Sequence, residues 1–274
     1  MTPISATFEL FDDQAAIFDQ RTGLPVEACR AVALAVVEAG KVGPGDMILE
    51  IGPGTGQIGR WFNPPLRYIG LDKSAAMLEQ FRNREESTAS GRLLIRADAN
   101  QVWPVASGVA RVIFSSRAMH LLDQEHAASE VFRVASPDGA ALVLGRVQRL
   151  PESVRARMAR EMNLRLRSYG FEGRGGEQRN RELIEACRRR GAQALEPRTV
   201  ASWKVAASGR ESIEAWRCLR GLGGVLVPPE TKEEILDGLA GWAESEFNGL
   251  DRQFESEEAY VIRPVWLPPA GSKP

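Results

Sequence analysis

The 274-residue sequence predicts an α/β fold: a doubly wound, mostly parallel sheet with helices on both faces. Three observations carry this. Five short apolar runs, at residues 47–51, 68–71, 93–95, 109–115 and 140–145, are too short for helices, and most are rich in Ile, Val and Leu. Helical patterns lie between them, which implies βαβ units. A cluster of glycines, Gly52, Gly54 and Gly56, follows the first run at once.

Residues 24–39 read as a helix: Pro25 suits the first turn, Val26, Cys29, Ala33, Val36 and Val37 form an apolar face, and Gly40 suits the end. Helices are expected at 56–62, 74–84 and 124–134, between the strands. Pro137-Asp138-Gly139 is a turn before the fifth strand. The pattern then changes. Residues 151–169 carry Val154, Met158, Met162 and Leu166 on one helical stripe, a glycine-rich patch covers 170–176, and a helix is expected over 180–190. Residues 200–206 alternate like a strand. Residues 210–247 read as mostly helical, broken by Gly221, Gly223, Gly224 and Pro228-Pro229, and 259–267 read as a last strand. The expected division is 1–147, N-terminal helices and a cofactor-binding core, and 148–274, helical cap elements plus the last two strands of the same sheet.

Composition excludes several classes. With 43% hydrophobic and 26% charged residues the chain is neither disordered nor collagen-like. Lys plus Arg is 35 against 36 Asp plus Glu, a net charge of -1, which argues against a nucleic-acid binder. Cys29, Cys187 and Cys218 stand far apart, and with two His there is no zinc-like cluster, so no metal is expected. The free cysteines suit a reducing cytoplasm. No stretch reads as a signal peptide or a membrane span. Residues 155–190 hold 11 Arg against five Glu, a solvated helix face or a surface for an anionic substrate.

The chemistry centres on ILEIGPGTGQIG, residues 48–59. A strand ends, glycines let the backbone turn and approach a ligand, and a helix is expected to begin, offering unpaired N–H groups. Such a loop holds the polar part of a nucleotide-like cofactor. Gly54-Thr55-Gly56-Gln57-Ile58-Gly59 formally matches the dinucleotide pattern, but Gly52 holds the strand end, and counted from it the sixth position is Gln57. Glu50 would repel a pyrophosphate and suits a cationic amino-acid moiety, which favours S-adenosylmethionine over NAD. Asp72 ends the second strand and can accept hydrogen bonds from ribose hydroxyls, or else cap the next helix. Asp98 follows the third strand and can accept from an adenine amino group, with the Ala99 N–H meeting a ring nitrogen. Met77 can pack on adenine or in the core, and Lys73, beside Asp72, joins the cofactor set. Ser115 and Ser116 end the fourth strand with backbone able to face the cofactor. His120 follows in SSRAMHLL as a candidate general base, or a packing histidine, and Arg117 in that loop could meet an acidic acceptor. His126 is expected to face solvent. Trp203, Trp216, Trp242, Trp266, Tyr169 and Phe171 are core residues or the lining of an apolar acceptor pocket.

ILEIGPGTG, YIGLD, RADA, VIFSSRAMHLL and FRVASPDGAALVLG resemble, in order, the motifs of the class I S-adenosylmethionine-dependent methyltransferases, most closely the small-molecule branch that includes quinone-biosynthesis enzymes. The resemblance covers about residues 45–146. It implies a Rossmann-like sheet of seven strands, the last antiparallel, with helical cap insertions over the acceptor. AAIFDQRTG resembles the segment that closes over the methionine end in this branch. Phe18 stands where Tyr is frequent, and Arg21 matches a basic residue able to pair with the methionine carboxylate. The implied activity is methyl transfer from S-adenosylmethionine, leaving S-adenosylhomocysteine, to a small-molecule acceptor in the cytoplasm, with a homodimer as the possible assembly. The competing readings are an NAD(P)-dependent oxidoreductase, whose full glycine motif and acid–base set are not found, and a non-catalytic or atypical S-adenosylmethionine-binding protein.

Overall fold

The computed structural model describes residues 15, 18, 19, 23–84, 92–173, 175–269 and 271. Its elements in chain order are α1 (Val26–Gly40), β1 (Met47–Ile51), a 3-10 turn (Gly59–Trp61), β2 (Arg67–Asp72), α2 (Ala75–Arg84), β3 (Arg92–Arg96), β4 (Ala110–Ser116), a second 3-10 turn (Met119–Leu121), α3 (Gln124–Val134), β5 (Ala140–Arg149), α4 (Val154–Ser168), α5 (Gly176–Arg188), β6 (Gln193–Ala194), β7 (Arg198–Ala207), α6 (Gly209–Arg217), β8 (Gly221–Leu222), β9 (Val225–Leu226), α7 (Pro229–Phe247) and β10 (Phe254–Leu267).

The strands run in the order β3-β2-β1-β4-β5-β10-β6, with β7 also paired to β10. The pairings β1–β2, β2–β3, β1–β4 and β4–β5 are parallel, and β10 meets β6 antiparallel. This is the expected doubly wound α/β sheet. The chain steps outward from β1 to β3 and then returns to the other side of β1, so the carboxyl ends of β1 and β4 form the switch-point crevice where ligands bind in such sheets.

Two features differ from expectation. The sheet has eight strands rather than seven because the two-residue β6 precedes β7. β6 stays short because Pro197, three residues after Ala194, has no N–H to extend the ladder. More consequential, no helix follows the glycine loop. Residues 56–62 make turns and only the short 3-10 segment, held by Trp61 N–H to Ile58 O at 2.9 Å and Phe62 N–H to Gly59 O at 3.2 Å. Pro64 and Pro65 follow directly and lack the N–H groups a longer helix needs.

Two compact units make up the described residues: those within Phe11–Arg146, Gly175–Ala201 and Tyr260–Pro274 in one, and those within Val147–Arg174 and Ser202–Ala259 in the other. In the first, β1 is buried along its whole length, as an apolar central strand of a parallel sheet must be. Leu49, Ile51, Ile113, Leu142 and Leu144 pack against Ala127, Ala128 and Val131 of α3 and Leu183, Ala186 and Cys187 of α5. α3 begins where the sequence places it because Asp123 accepts the His126 N–H at 2.8 Å. On the opposite face Phe81 of α2 meets Tyr68 edge-on at 6.1 Å, and Phe62 stacks on Tyr68 at 5.8 Å. In the second unit α4, α6 and α7 bury Met158, Met162, Leu166, Ile213, Ile235, Leu236 and Leu239. Trp216, Trp242 and Phe171 lie half-buried against that cluster, so these three aromatics are packing residues. A Ser208–Glu211 capping box starts α6, and Pro229 suits the start of α7.

Leu236→Ala, at a fully buried position, should cost about 2–5 kcal/mol through lost burial and a cavity. Urea unfolding measures this, and a loss below about 1 kcal/mol would mean the helical unit's core repacks freely.

Candidate functional site

The glycine loop lies at the carboxyl end of β1. Gly52, with φ +71°, donates its N–H to Leu71 O at 2.8 Å, and a Cβ there would stand 2.2 Å from the Ala118 Cβ. Gly56, with φ +76°, would drive a Cβ to 2.2 Å from the Phe81 ring. Both are glycines that packing demands. Gly54 is different: its φ is +57°, yet a Cβ there would meet no described residue within 4 Å.

Asp72 ties this loop to its neighbours. One carboxylate oxygen accepts the Gly54 N–H at 2.9 Å, the other the Ser74 N–H at 2.9 Å. Ser74 itself caps α2, accepting the Met77 N–H at 3.1 Å, so Asp72 is not that helix's cap. Asp98 is not a free loop acid. It accepts the Lys73 ammonium at 3.1 Å and the Asn100 N–H at 3.0 Å. The carbonyl of Ala99 accepts the indole N–H of Trp103 at 3.0 Å, which fixes the backbone there. Met77 is buried in α2, on its core side.

Glu50 is fully buried, and the Tyr68 hydroxyl donates to it at 2.6 Å. Burial pushes its carboxyl up to about 8, against the lowering effect of the Tyr68 hydrogen bond, and the Asp72 charge adds to the rise. Glu50 is therefore largely uncharged at neutral pH, and the charge repulsion expected of it at the strand tip is not available.

At the end of β4 the Ser115 hydroxyl donates to Ile51 O at 2.8 Å, stitching β4 to β1. Ser116 Oγ accepts the Tyr260 hydroxyl at 2.6 Å. Arg117 takes a left-handed φ of +67°, with its guanidinium 5.8 Å from the Phe18 ring. His120 is half-buried, its carbonyl accepting Arg179 Nε at 2.9 Å. The structure thus gathers Gly52, Gly54, Asp72, Ser115 and His120 at the switch point. His126 lies elsewhere, on α3, its Nε2 2.9 Å from Gln101 O. Trp266 is half-buried beside the Arg111 and Lys41 cations. Much of the 155–190 arginine run has partners inside the protein, including Glu258 for Arg155, Glu161 for Arg165, and Glu125 for Arg189 and Arg190. Arg21 lies outside the described residues. Among those described, no His, Cys, Asp and Glu cluster could hold a metal ion.

The sequence reading missed Asp19. It accepts Thr55 Oγ1 and Gln57 Nε2, each at 2.6 Å, and pairs with Arg84. Gln57 in turn accepts the Leu24 N–H at 3.0 Å. The signal was present: Thr55 and Gln57 are polar side chains in a tightly turned loop, and such groups need partners once buried.

A family profile described as a methyltransferase domain matches residues 48–139. A curated relative, an uncharacterized 37.1 kDa protein of a transposon in Streptomyces fradiae, is 30% identical over 138 residues, 48% of this chain and 39% of that protein. The matching segment is thus well under half of that relative's length. The solved structure of a candidate methyltransferase from Bacillus halodurans C-125 aligns over 86% of this chain and 98% of its own, with TM-score 0.57 and 16% identity. The YcgJ protein of a Bacillus species aligns over 85% and 97%, with TM-score 0.53 and 19% identity. The [4+2]-cyclase SpnF aligns over 95% and 94%, with TM-score 0.56 and 16% identity. At these identities the likeness establishes the fold.

The buried Glu50 carboxyl gives a pH signature. Its folded value of about 8 lies above its ordinary 4.5, so its contribution to stability is complete below about 4.5 and is lost as pH rises through about 8. Thermal unfolding from pH 5 to 9 should show Glu50→Gln losing less stability than the unaltered protein, and parallel curves would refute a buried neutral Glu50. The profile match over residues 48–139 thus falls on the part of the chain that carries the glycine loop and the parallel strands β1 to β4.

Proposed function

We propose that the protein transfers a methyl group from S-adenosylmethionine to a small-molecule acceptor. The observation that carries this reading is the Gly54–Asp72 contact at the carboxyl ends of β1 and β2. It supports a single frame that joins the glycine loop to the acid read for the ribose. The residues fit such a cofactor. Asp72 would accept from the ribose hydroxyls. Asp98, oriented by Lys73, would accept from the adenine amino group, with the Ala99 N–H toward the ring. The glycine loop and the Ser115 backbone would serve the methionine portion.

When bound, the cofactor supplies an activated methyl group on a sulfonium centre. The chain's own work is then alignment and exclusion of water, since an in-line displacement needs orientation more than acid–base help. Where an acceptor must lose a proton, His120 is the group that would take it. No helix among the described residues is long and apolar enough to cross a membrane. A cytoplasmic enzyme, with a homodimer as its assembly, is the setting this reading carries.

Calorimetric titration with S-adenosylmethionine, S-adenosylhomocysteine and NAD in parallel tests the cofactor. Micromolar binding of the first two and none of NAD is expected, while NAD binding alone would overturn the reading. Asp72→Ala should weaken S-adenosylhomocysteine binding by about tenfold or more, since it removes hydrogen bonds to a charged acceptor and the anchor of Gly54. Unchanged affinity would remove Asp72 from the ribose site.

A further inference from the structure

We propose that Tyr260 and Arg179 are positioning residues that set the loop between β4 and α3, the first through Ser116 beside Arg117 and the second through the backbone of His120. The inference rests on reading that loop as the methyl-transfer site.

The loop is not in a relaxed conformation. Arg117 holds a left-handed φ of +67°, which side chains larger than glycine rarely adopt and which persists only where the surroundings impose it. Both ends of the loop are fastened by residues distant in sequence. At the start, the fully buried Tyr260 donates to Ser116 Oγ at 2.6 Å, one residue before the strained position. Its ring fills the space beside Gly145, where a Cβ would come within 2.2 Å of the phenol oxygen. At the far end, Arg179 spans the 3-10 turn, Nε donating to His120 O at 2.9 Å and Nη2 to Leu122 O at 2.5 Å. A guanidinium fork suits two carbonyls at fixed separation, and these are carbonyls that a short 3-10 turn leaves without helical partners. Gln124 adds bonds to Met119 O at 3.1 Å and Leu122 O at 2.6 Å, but none to His120.

The element bearing Arg179 is itself anchored to the sheet. Glu177, in the first turn of α5, pairs with Arg146 of β5 and with Arg263 of β10. Gly176 lies against the His120 ring, where a Cβ would stand 3.4 Å from the ring carbons. A continuous path therefore runs from β5 and β10 through Glu177 and α5 to the backbone of His120.

The sequence has two histidines, so the imidazole signals of ¹⁵N-histidine-labelled protein report this loop directly. Spectra are recorded with and without S-adenosylhomocysteine, with His126→Asn assigning the second signal. In the unaltered protein the ligand should move the His120 signals and leave those of His126 in place. In Arg179→Gln and Tyr260→Phe the His120 signals should shift or broaden and their response to the ligand should diminish, while S-adenosylhomocysteine affinity changes by less than about threefold. Arg179→Lys should restore the signals in part, and Ser116→Ala should reproduce Tyr260→Phe. Arg189→Gln, which removes an exposed partner of Glu125, is the control and should change neither histidine. His120 signals unmoved in folded Arg179→Gln and Tyr260→Phe would overturn the positioning role. An unaltered protein that fails to bind S-adenosylhomocysteine would instead overturn the methyltransferase reading on which that role depends, so the two failures are told apart.

Discussion

The Asp72 carboxylate receives the Gly54 N–H on one oxygen and the Ser74 N–H on the other, so a single side chain joins the glycine loop, the end of β2 and the approach to α2. The rest of the crevice depends on this contact. Three left-handed glycines make residues 52–56 costly to order, because glycine loses more backbone freedom on folding than any other residue. No following helix holds the loop, since the chain makes only a 3-10 turn before Pro64. Order must come from the flanks instead: Asp72 on the β2 side, Ala118 packed on Gly52, Phe81 on Gly56, and Asp19 on Thr55 and Gln57.

The sheet was legible because its strands are buried on both faces, and continuous apolar runs mark such strands without reference to tertiary contacts. β1 was read to the residue, as was α3, whose Asp123 cap is a local signal. The 3-10 turn was not legible, because glycines followed by an apolar stretch fit a helix start equally well, and the two prolines beyond it act over a longer range than the pattern. The three acids were found at the right strand ends, but not their states. Tyr68 reaches Glu50 across 18 positions and Lys73 reaches Asp98 across 25, and no periodicity reports pairs of that kind. Arg179 and Tyr260 were invisible for the same reason, lying 59 and 144 positions from their partners.

Fold and chemistry separate cleanly in this protein. Its fold is similar to that of a protein described as a [4+2]-cyclase as well as to that of a candidate methyltransferase, so the fold cannot decide the reaction. What distinguishes this chain is what its own side chains do at the switch point. Much of the arginine surplus of residues 155–190 is spent on internal acids and carbonyls, and Arg179 shows the result: it organises the His120 loop where a reading from charge alone would have it meet substrate.

The choice between a dinucleotide and S-adenosylmethionine changes its physical basis accordingly. A negative Glu50 would repel a pyrophosphate, yet burial leaves that carboxyl largely neutral, and Lys73 offsets Asp98. The crevice is therefore less negative than its three acids suggest, and charge alone would tolerate an anion. The backbone supplies the discrimination instead. A pyrophosphate is held by the N–H groups and dipole of a helix that starts at the glycine loop. Here that helix is replaced by a single 3-10 turn, and the Gly54 N–H that would point at a phosphate is already taken by Asp72. A cofactor that needs acceptors for ribose and a close approach to glycine backbone, but no phosphate cradle, is the one this loop can hold.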